Sequence, residues 1–206
     1  MKHLYSIEPP WDQRLARALA LAIAPIGVTP NMVTTFGLML GLLAAVLFAL
    51  GEATAGWGSL LLALSFVIDH ADGELARSTG QSSRFGYYFD MCSGALILAS
   101  VFFGIGIGFS SGPLGPWAIM MGATAGLAIA VIFAVRLDLE RVAGPEATKQ
   151  PNVLGFETED VLYLIVPIAW LGGLQTFLVA ASIGAPAYLI WQLGASRRLR
   201  TQLLES

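Results

Sequence analysis

Charge is scarce in this sequence. Of its 206 residues only 12% are Asp, Glu, Lys or Arg, against 56% that are apolar, and the mean hydropathy is +0.71. Soluble domains carry about 25% charged residues. A chain of this length folded in water would have to hide more apolar surface than its interior holds, so a soluble domain is excluded. The same shortage of charge excludes intrinsic disorder. There is a single cysteine, Cys92, so no internal disulfide forms and no oxidising compartment is implied. The two histidines, His3 and His70, stand apart, which leaves no histidine metal site or triad. Cations do not predominate: a net charge of −3 and a pI of about 5.3 argue against nucleic acid as a partner. Residues 1–12 hold one lysine and two prolines but no short apolar core with a small-residue cleavage site, so no removable signal is expected. Internal repeats and low-complexity tracts are also missing.

What is present is a series of long apolar runs. A helix needs about 20 apolar residues to cross the hydrocarbon core, and six runs are candidates for spans. They cover approximately 31–50, 57–76, 86–109, 116–135, 161–173 and 174–193, with turn residues at Gly51-Glu52, Ser110-Ser111-Gly112-Pro113 and Gly172-Gly173 between them. Residues 11–26 read as an amphipathic helix lying at the interface, with Arg14 and Arg17 opposing the Leu and Ala positions. With six spans, all 11 lysines and arginines fall on one side of the membrane. By the positive-inside rule that side is cytoplasmic, and both termini with it. The expected fold is an all-α integral membrane protein of six transmembrane helices plus an N-terminal interfacial helix. It forms one domain over 1–206, in which 31–193 make the bundle and 194–206 a cytoplasmic tail. In a bacterium it would sit in the inner or plasma membrane.

Charges inside spans are costly and mark function. Asp69, Asp72 and Asp90 are such charges, near the cytoplasmic ends of the second and third spans. At 100° per residue, Asp69, Asp72, Gly73, Ala76 and Arg77 share an arc of about 140°. On the third span Gly86 and Asp90 are four apart and stack on one face. Three converging carboxylates suit a hard cation such as Mg²⁺, Mn²⁺ or Ca²⁺. Gly73 and Gly86 clear side chains from the backbone where something bulky must approach, and Arg77 suits an anionic group such as a phosphate.

The stretch from Asp69 through Asp72-Gly73, Ala76-Arg77 and Gly86 to Asp90 resembles the signature of the CDP-alcohol phosphatidyltransferases, D-x2-D-G-x2-A-R-x8-G-x3-D-x3-D. Seven of its eight fixed positions match at the right spacing. The approach to the first span, Gly27-Val-Thr29-Pro30-Asn31-Met-Val-Thr34, is similar more loosely. The resemblance implies a transferase of phospholipid biosynthesis. A substituted phosphoryl group would pass from a CDP-linked lipid donor or CDP-alcohol to an alcohol acceptor, with release of CMP. Asp69, Asp72 and Asp90 would hold Mg²⁺ or Mn²⁺ in a two-metal site. Asp69, Gly73, Ala76, Arg77 and Gly86 would form the CDP site, with the glycines and Ala76 making room for the cytidine.

The eighth position of the signature, an aspartate in the family, is Gly94 here. The resemblance gives that aspartate the roles of metal ligand and general base, and glycine can fill neither. Three explanations stand: a substituted version of an active enzyme, a binding-only relative, or a relative that recruits another acid, for which Glu157, Glu159 and Asp160 are candidates. The favoured expectation is a transferase whose activity is impaired and whose second ion is weakly held. Arg136, Arg141 and Lys149 are candidates for an acceptor phosphate or simply set the topology. Gly and Ala residues at 122–126 suit close helix packing and a homodimer face. A small transporter is the rival from another class. It would place charges near the midplane in two related halves, whereas these acids cluster at one end.

Overall fold

The computed structural model describes residues 11–144 and 162–205. Among them the chain is all helical: α1 (Trp11–Ile23), α2 (Pro30–Ala49), α3 (Glu52–Thr79), α4 (Arg84–Gly108), α5 (Trp117–Ala143), α6 (Ile165–Trp170) and α7 (Leu174–Glu205). Four of these helices are long and apolar enough to cross a membrane, namely α2, α4, α5 and residues Leu174–Leu199 of α7. The protein is therefore an integral membrane protein. The helix α3, at 28 residues, has the length to cross but carries the aspartates. Of the run expected at 161–173, only the part from residue 162 is described. There Tyr163 packs edge-on against Phe66 and Trp170 against Trp57, so this piece runs antiparallel along the first half of α3.

Local chemistry sets the helix ends. Thr29 caps α2, its side chain accepting from Met32 N at 3.4 Å, and Pro30 follows in the first turn, where a missing N–H costs nothing. Gly80, at φ 68°, ends α3 in the left-handed conformation that glycine adopts without strain. Ser83 caps α4, accepting from Gly86 N at 3.0 Å.

The amphipathic α1 spans 13 residues, about 20 Å, too short to cross. Its buried Ala16 and Ala20 pack with Val33, Ile68, Ala71 and Leu75, while Arg14 and Arg17 stay exposed. Helix α2 packs against both α3 and α4, which scarcely touch each other. Glycines make this possible: Ile68 of α3 sits over Gly37 at 3.2 Å from where a Cβ would be, and Ile97 of α4 occupies the space over Gly41. Towards the far end of the bundle, Gly104 lies directly on the Ala45 carbonyl.

Helix α5 continues past the apolar run, from Val135 to Ala143, so Arg136 and Arg141 are helical. Residues 194–205 continue α7 as helix. Gly122 and Gly126 are not a free face: they lie against the Phe102 and Ala99 carbonyls of α4, so the small residues serve packing inside the chain.

Candidate metal centre

The turn between α3 and α4 occupies only residues 80–83. Asp72 lies about two helical turns before that turn and Asp90 about two turns after it, so the helical rise puts both at the same depth. One carboxylate oxygen from each of Asp69, Asp72 and Asp90 lies within 4.8 Å of the others. Ligands on opposite sides of a Mg²⁺ ion are about 4.2 Å apart, given bonds of 2.0–2.1 Å. The three groups therefore need only small side-chain movements to share an ion, and an all-oxygen donor set matches a hard cation. Asp72 is 4% exposed, the deepest of the three. Thr34 of α2 donates to its Oδ2 at 2.5 Å, with the Pro30 carbonyl as a second neighbour at 3.1 Å. This hydroxyl orients the carboxylate, as outer-shell donors do around metal ligands.

The other positions of the signature lie on the same two helices. Gly73 lies under the Arg77 guanidinium, with Nη1 3.2 Å from where its Cβ would be. Arg77 pairs with Glu74 at 2.7 Å, and its side chain is 65% exposed. A pair so exposed contributes about 0–1 kcal/mol, so a phosphate could take the guanidinium from Glu74 at small cost. Ala76 is half-buried on the same helix. The space above Gly86 is bounded by Asn31 Oδ1 and Ser83 Oγ, 3.2 and 3.1 Å from an added Cβ. His70 Nδ1 donates to the Phe66 carbonyl at 2.8 Å.

Gly94 lies one turn beyond Asp90, and the space over it belongs to α5. A Cβ there would meet Phe133 Cε1 at 3.3 Å. Its neighbours differ from one another: Cys92 is exposed, whereas Ser93 is buried and its Oγ finds no partner among the described residues. Of the cations expected for an acceptor phosphate, Arg136 and Arg141 lie in the last turns of α5. Arg136 Nε is tied to Glu140 Oε1 at 3.0 Å, and Arg141 is exposed at the end of α5. Lys149 lies outside the described residues, as do Glu157, Glu159 and Asp160.

Thr34 and Glu140 were not singled out from the sequence as site residues. Thr34 could have been: Pro30 fixes the first turn of α2, and four residues on, Thr34 lies on the face that meets α3. Glu140 had no such signal, because its partner Tyr87 belongs to another helix.

Helices α2, α3 and α4 thus meet at a cluster of acids at one end of the bundle, a donor set suited to a hard divalent cation. The sequence pattern of the CDP-alcohol phosphatidyltransferases matches residues 27–191, and the chain belongs to that family. It is 39% identical over 106 residues to the archaetidylinositol phosphate synthase of Pyrococcus horikoshii, covering 51% of this chain and 54% of that protein. To the phosphatidylinositol phosphate synthase of Mycolicibacterium smegmatis it is 30% identical over 106 residues, covering 51% and 47%. The chain thus spans about half the length of the curated relatives it matches. Among solved structures it resembles the phosphatidylinositol phosphate synthase of Mycobacterium tuberculosis with CDP-DAG bound. There the TM-score is 0.65 at 21% identity, over 89% of this chain and 94% of that one. It also resembles the same enzyme in complex with manganese and citrate, with a TM-score of 0.55 at 21% identity, over 85% and 88%. At these identities the likeness shows the fold.

Proposed function

We propose that the chain is a Mg²⁺- or Mn²⁺-dependent transferase that moves a phosphatidyl or related substituted phosphoryl group from a CDP-linked lipid to an alcohol. The observation that carries this reading is the convergence of Asp69, Asp72 and Asp90 from two helices in a member of this family. The acceptor oxygen forms a bond to the phosphorus that bears the lipid. The bond from that phosphorus to the bridging oxygen breaks, CMP leaves with the electron pair, and the hydroxyl proton passes to a base or to water. Divalent ions would supply charge neutralisation on the diphosphate, with Asp69, Asp72 and Asp90 as their holders. Arg77 holds a donor phosphate, and Gly73, Ala76 and Gly86 leave the cytidine its room. The names of the similar proteins make inositol phosphate the first acceptor to test.

The same reading takes the fold as six spans with α1 at the interface and places both termini and the acids on the cytoplasmic side. Support comes from the segregation of the cations and from the antiparallel path of residues 162–170 beside α3. A homodimer in the membrane remains part of the proposal, through a surface other than the Gly122 and Gly126 stripe. Activity is low, because Gly94 offers no base and Phe133 closes over it. That packing also favours a second reading, a relative that binds CDP-lipid without turning it over.

Release of CMP from CDP-diacylglycerol, measured with Mn²⁺ against a panel of alcohols and alcohol phosphates, tests the reading. Slow, acceptor-dependent release that EDTA abolishes is expected. Binding of CDP compounds with no release for any acceptor would leave the binding-only reading.

A further inference from the structure

Serine inside a helix usually returns its hydroxyl to its own backbone. Ser59, Ser65, Ser78 and Ser182 do so, each donating to the carbonyl three residues back at 2.7–3.1 Å. Ser93 on α4 departs from them. It is 4% exposed, and its buried Oγ finds no hydrogen-bond partner among the described residues. A buried hydroxyl has a partner as a rule, and an orphan in a native fold calls for a cause.

The position of this hydroxyl points to one. Ile97, one turn further along α4, fills the space over Gly41 of α2, so Ser93 lies on the face of α4 that packs inward. Gly94, turned about 100° away, faces Phe133 of α5 instead, and Cys92 is exposed. Asp90 lies three residues before Ser93, a spacing that sets Cβ atoms about 5–6 Å apart on a helix. Helical side chains lean towards the N-terminus, so the Ser93 side chain covers the turn that carries Asp90. The Asp90 carboxylate is the charged acceptor on that turn.

Asp72 shows what such a donor does. It accepts from Thr34 at 2.5 Å through Oδ2, which leaves its other oxygen for an ion. Oxygens of Asp69, Asp72 and Asp90 lie within 4.8 Å of one another, whereas ligands across a Mg²⁺ ion are about 4.2 Å apart. Binding an ion therefore draws the carboxylates inward. Asp90 then turns one oxygen to the ion, and the other needs a donor behind it.

We propose that Ser93 is a positioning residue of the metal centre: with an ion bound, its hydroxyl donates to the Asp90 carboxylate, as Thr34 donates to that of Asp72. The proposal rests on the reading of Asp69, Asp72 and Asp90 as ligands, and it adds a residue that the signature does not contain. Two hydroxyls from two helices then fix the orientation of two ligands from behind, the usual role of outer-shell partners.

Titration of the full chain with Mn²⁺ in detergent, paired with thermal unfolding in EDTA, tests this. Ser93→Ala should weaken Mn²⁺ affinity about 10–100-fold, as loss of a partner behind a metal ligand does. In EDTA its thermal midpoint should be unchanged or higher, because the substitution removes a buried hydroxyl that lacks a partner. Ser93→Cys, made with Cys92→Ser, keeps the size with a weaker donor and should also lose Mn²⁺ affinity, while Cys92→Ser alone should match the unaltered chain. Unchanged Mn²⁺ affinity in Ser93→Ala overturns the proposal and leaves the ligand reading intact. So does a loss of affinity that comes with a lower midpoint in EDTA, which marks a packing role. If the unaltered chain binds no Mn²⁺, or Asp69→Asn binds it equally well, the ligand reading falls and the proposal falls with it.

Discussion

Replacing Gly94 by aspartate restores the carboxylate that the family signature carries, and the structure sets what that change must overcome. Gly86, Asp90 and Gly94 follow one another by four along α4, so a carboxylate at 94 projects from the same stripe as Asp90. The Cβ of any residue at 94 meets the Phe133 ring at 3.3 Å, which requires that ring to shift by a few tenths of an ångström. Overpacking of this kind costs about 1–3 kcal/mol, partly offset by about 1 kcal/mol of helix propensity gained when glycine is replaced inside a helix. A general base contributes about 10²–10⁴-fold in rate. The gain therefore exceeds the packing cost, and Gly94→Asp should raise turnover at least about tenfold with little change in affinity for the CDP donor. Adding Phe133→Leu to Gly94→Asp relieves the ring and should raise turnover further. Gly94→Ala supplies the Cβ without the base and should give no gain. The assay is CMP release at saturating CDP-diacylglycerol and Mn²⁺. Rapid turnover by the unaltered chain, with nothing added by Gly94→Asp, would refute the reasoning. Another acid would then be the base, and Glu157, Glu159 and Asp160 would be replaced next. If no form is active with any alcohol while all bind CDP compounds, the chain is a binding protein.

Thr34→Val removes the hydroxyl that donates to Asp72 and should weaken Mn²⁺ affinity about 10–100-fold, the usual effect of losing a partner behind a metal ligand; a Mn²⁺ titration in detergent reads this directly. Gly104→Val drives a branched side chain into the Ala45 carbonyl and should lower stability by about 1–3 kcal/mol, seen as a lower thermal midpoint without altered metal stoichiometry in the protein that remains folded. For topology, Glu52→Cys, Ser111→Cys and Leu171→Cys, each made with Cys92→Ser, should react with an impermeant external thiol reagent while Ser206→Cys does not; the reverse pattern would overturn both the span count and the side given to the acids.

Much of the site was legible because it depends on short-range geometry. Asp69, Asp72, Gly73 and Arg77 belong to one helix, and their shared arc follows from the helical pitch. Asp72 and Asp90 reach the same depth because the turn between their helices is short. The apolar runs located α2, α4, α5 and α7 because hydrophobicity tracks the thickness of the bilayer. It does not track where a helix ends in water. The segment after Val135, rich in Arg, Leu, Glu and Ala, continues α5 on intrinsic propensity, which a hydropathy pattern does not register. The pairing of Arg136 with Glu140 and Tyr87 was hidden for the same reason. Small residues at 122–126 announce close packing but not its partner. That partner is α4, which only the three-dimensional arrangement reveals. The aromatic lid on Gly94 is likewise a contact between distant parts of the chain, and no local pattern encodes it.

The central claim is that Asp69, Asp72 and Asp90 together hold a divalent ion through which CDP compounds bind. Its most direct test is the affinity of the purified full chain for CMP, measured calorimetrically with Mn²⁺, with Mg²⁺ and with EDTA, for the unaltered chain and for Asp69→Asn. The account predicts saturable binding with either metal, none in EDTA, and none for Asp69→Asn under any condition. Equal affinity in EDTA and in Mg²⁺, or unchanged metal-dependent binding by Asp69→Asn, would contradict it.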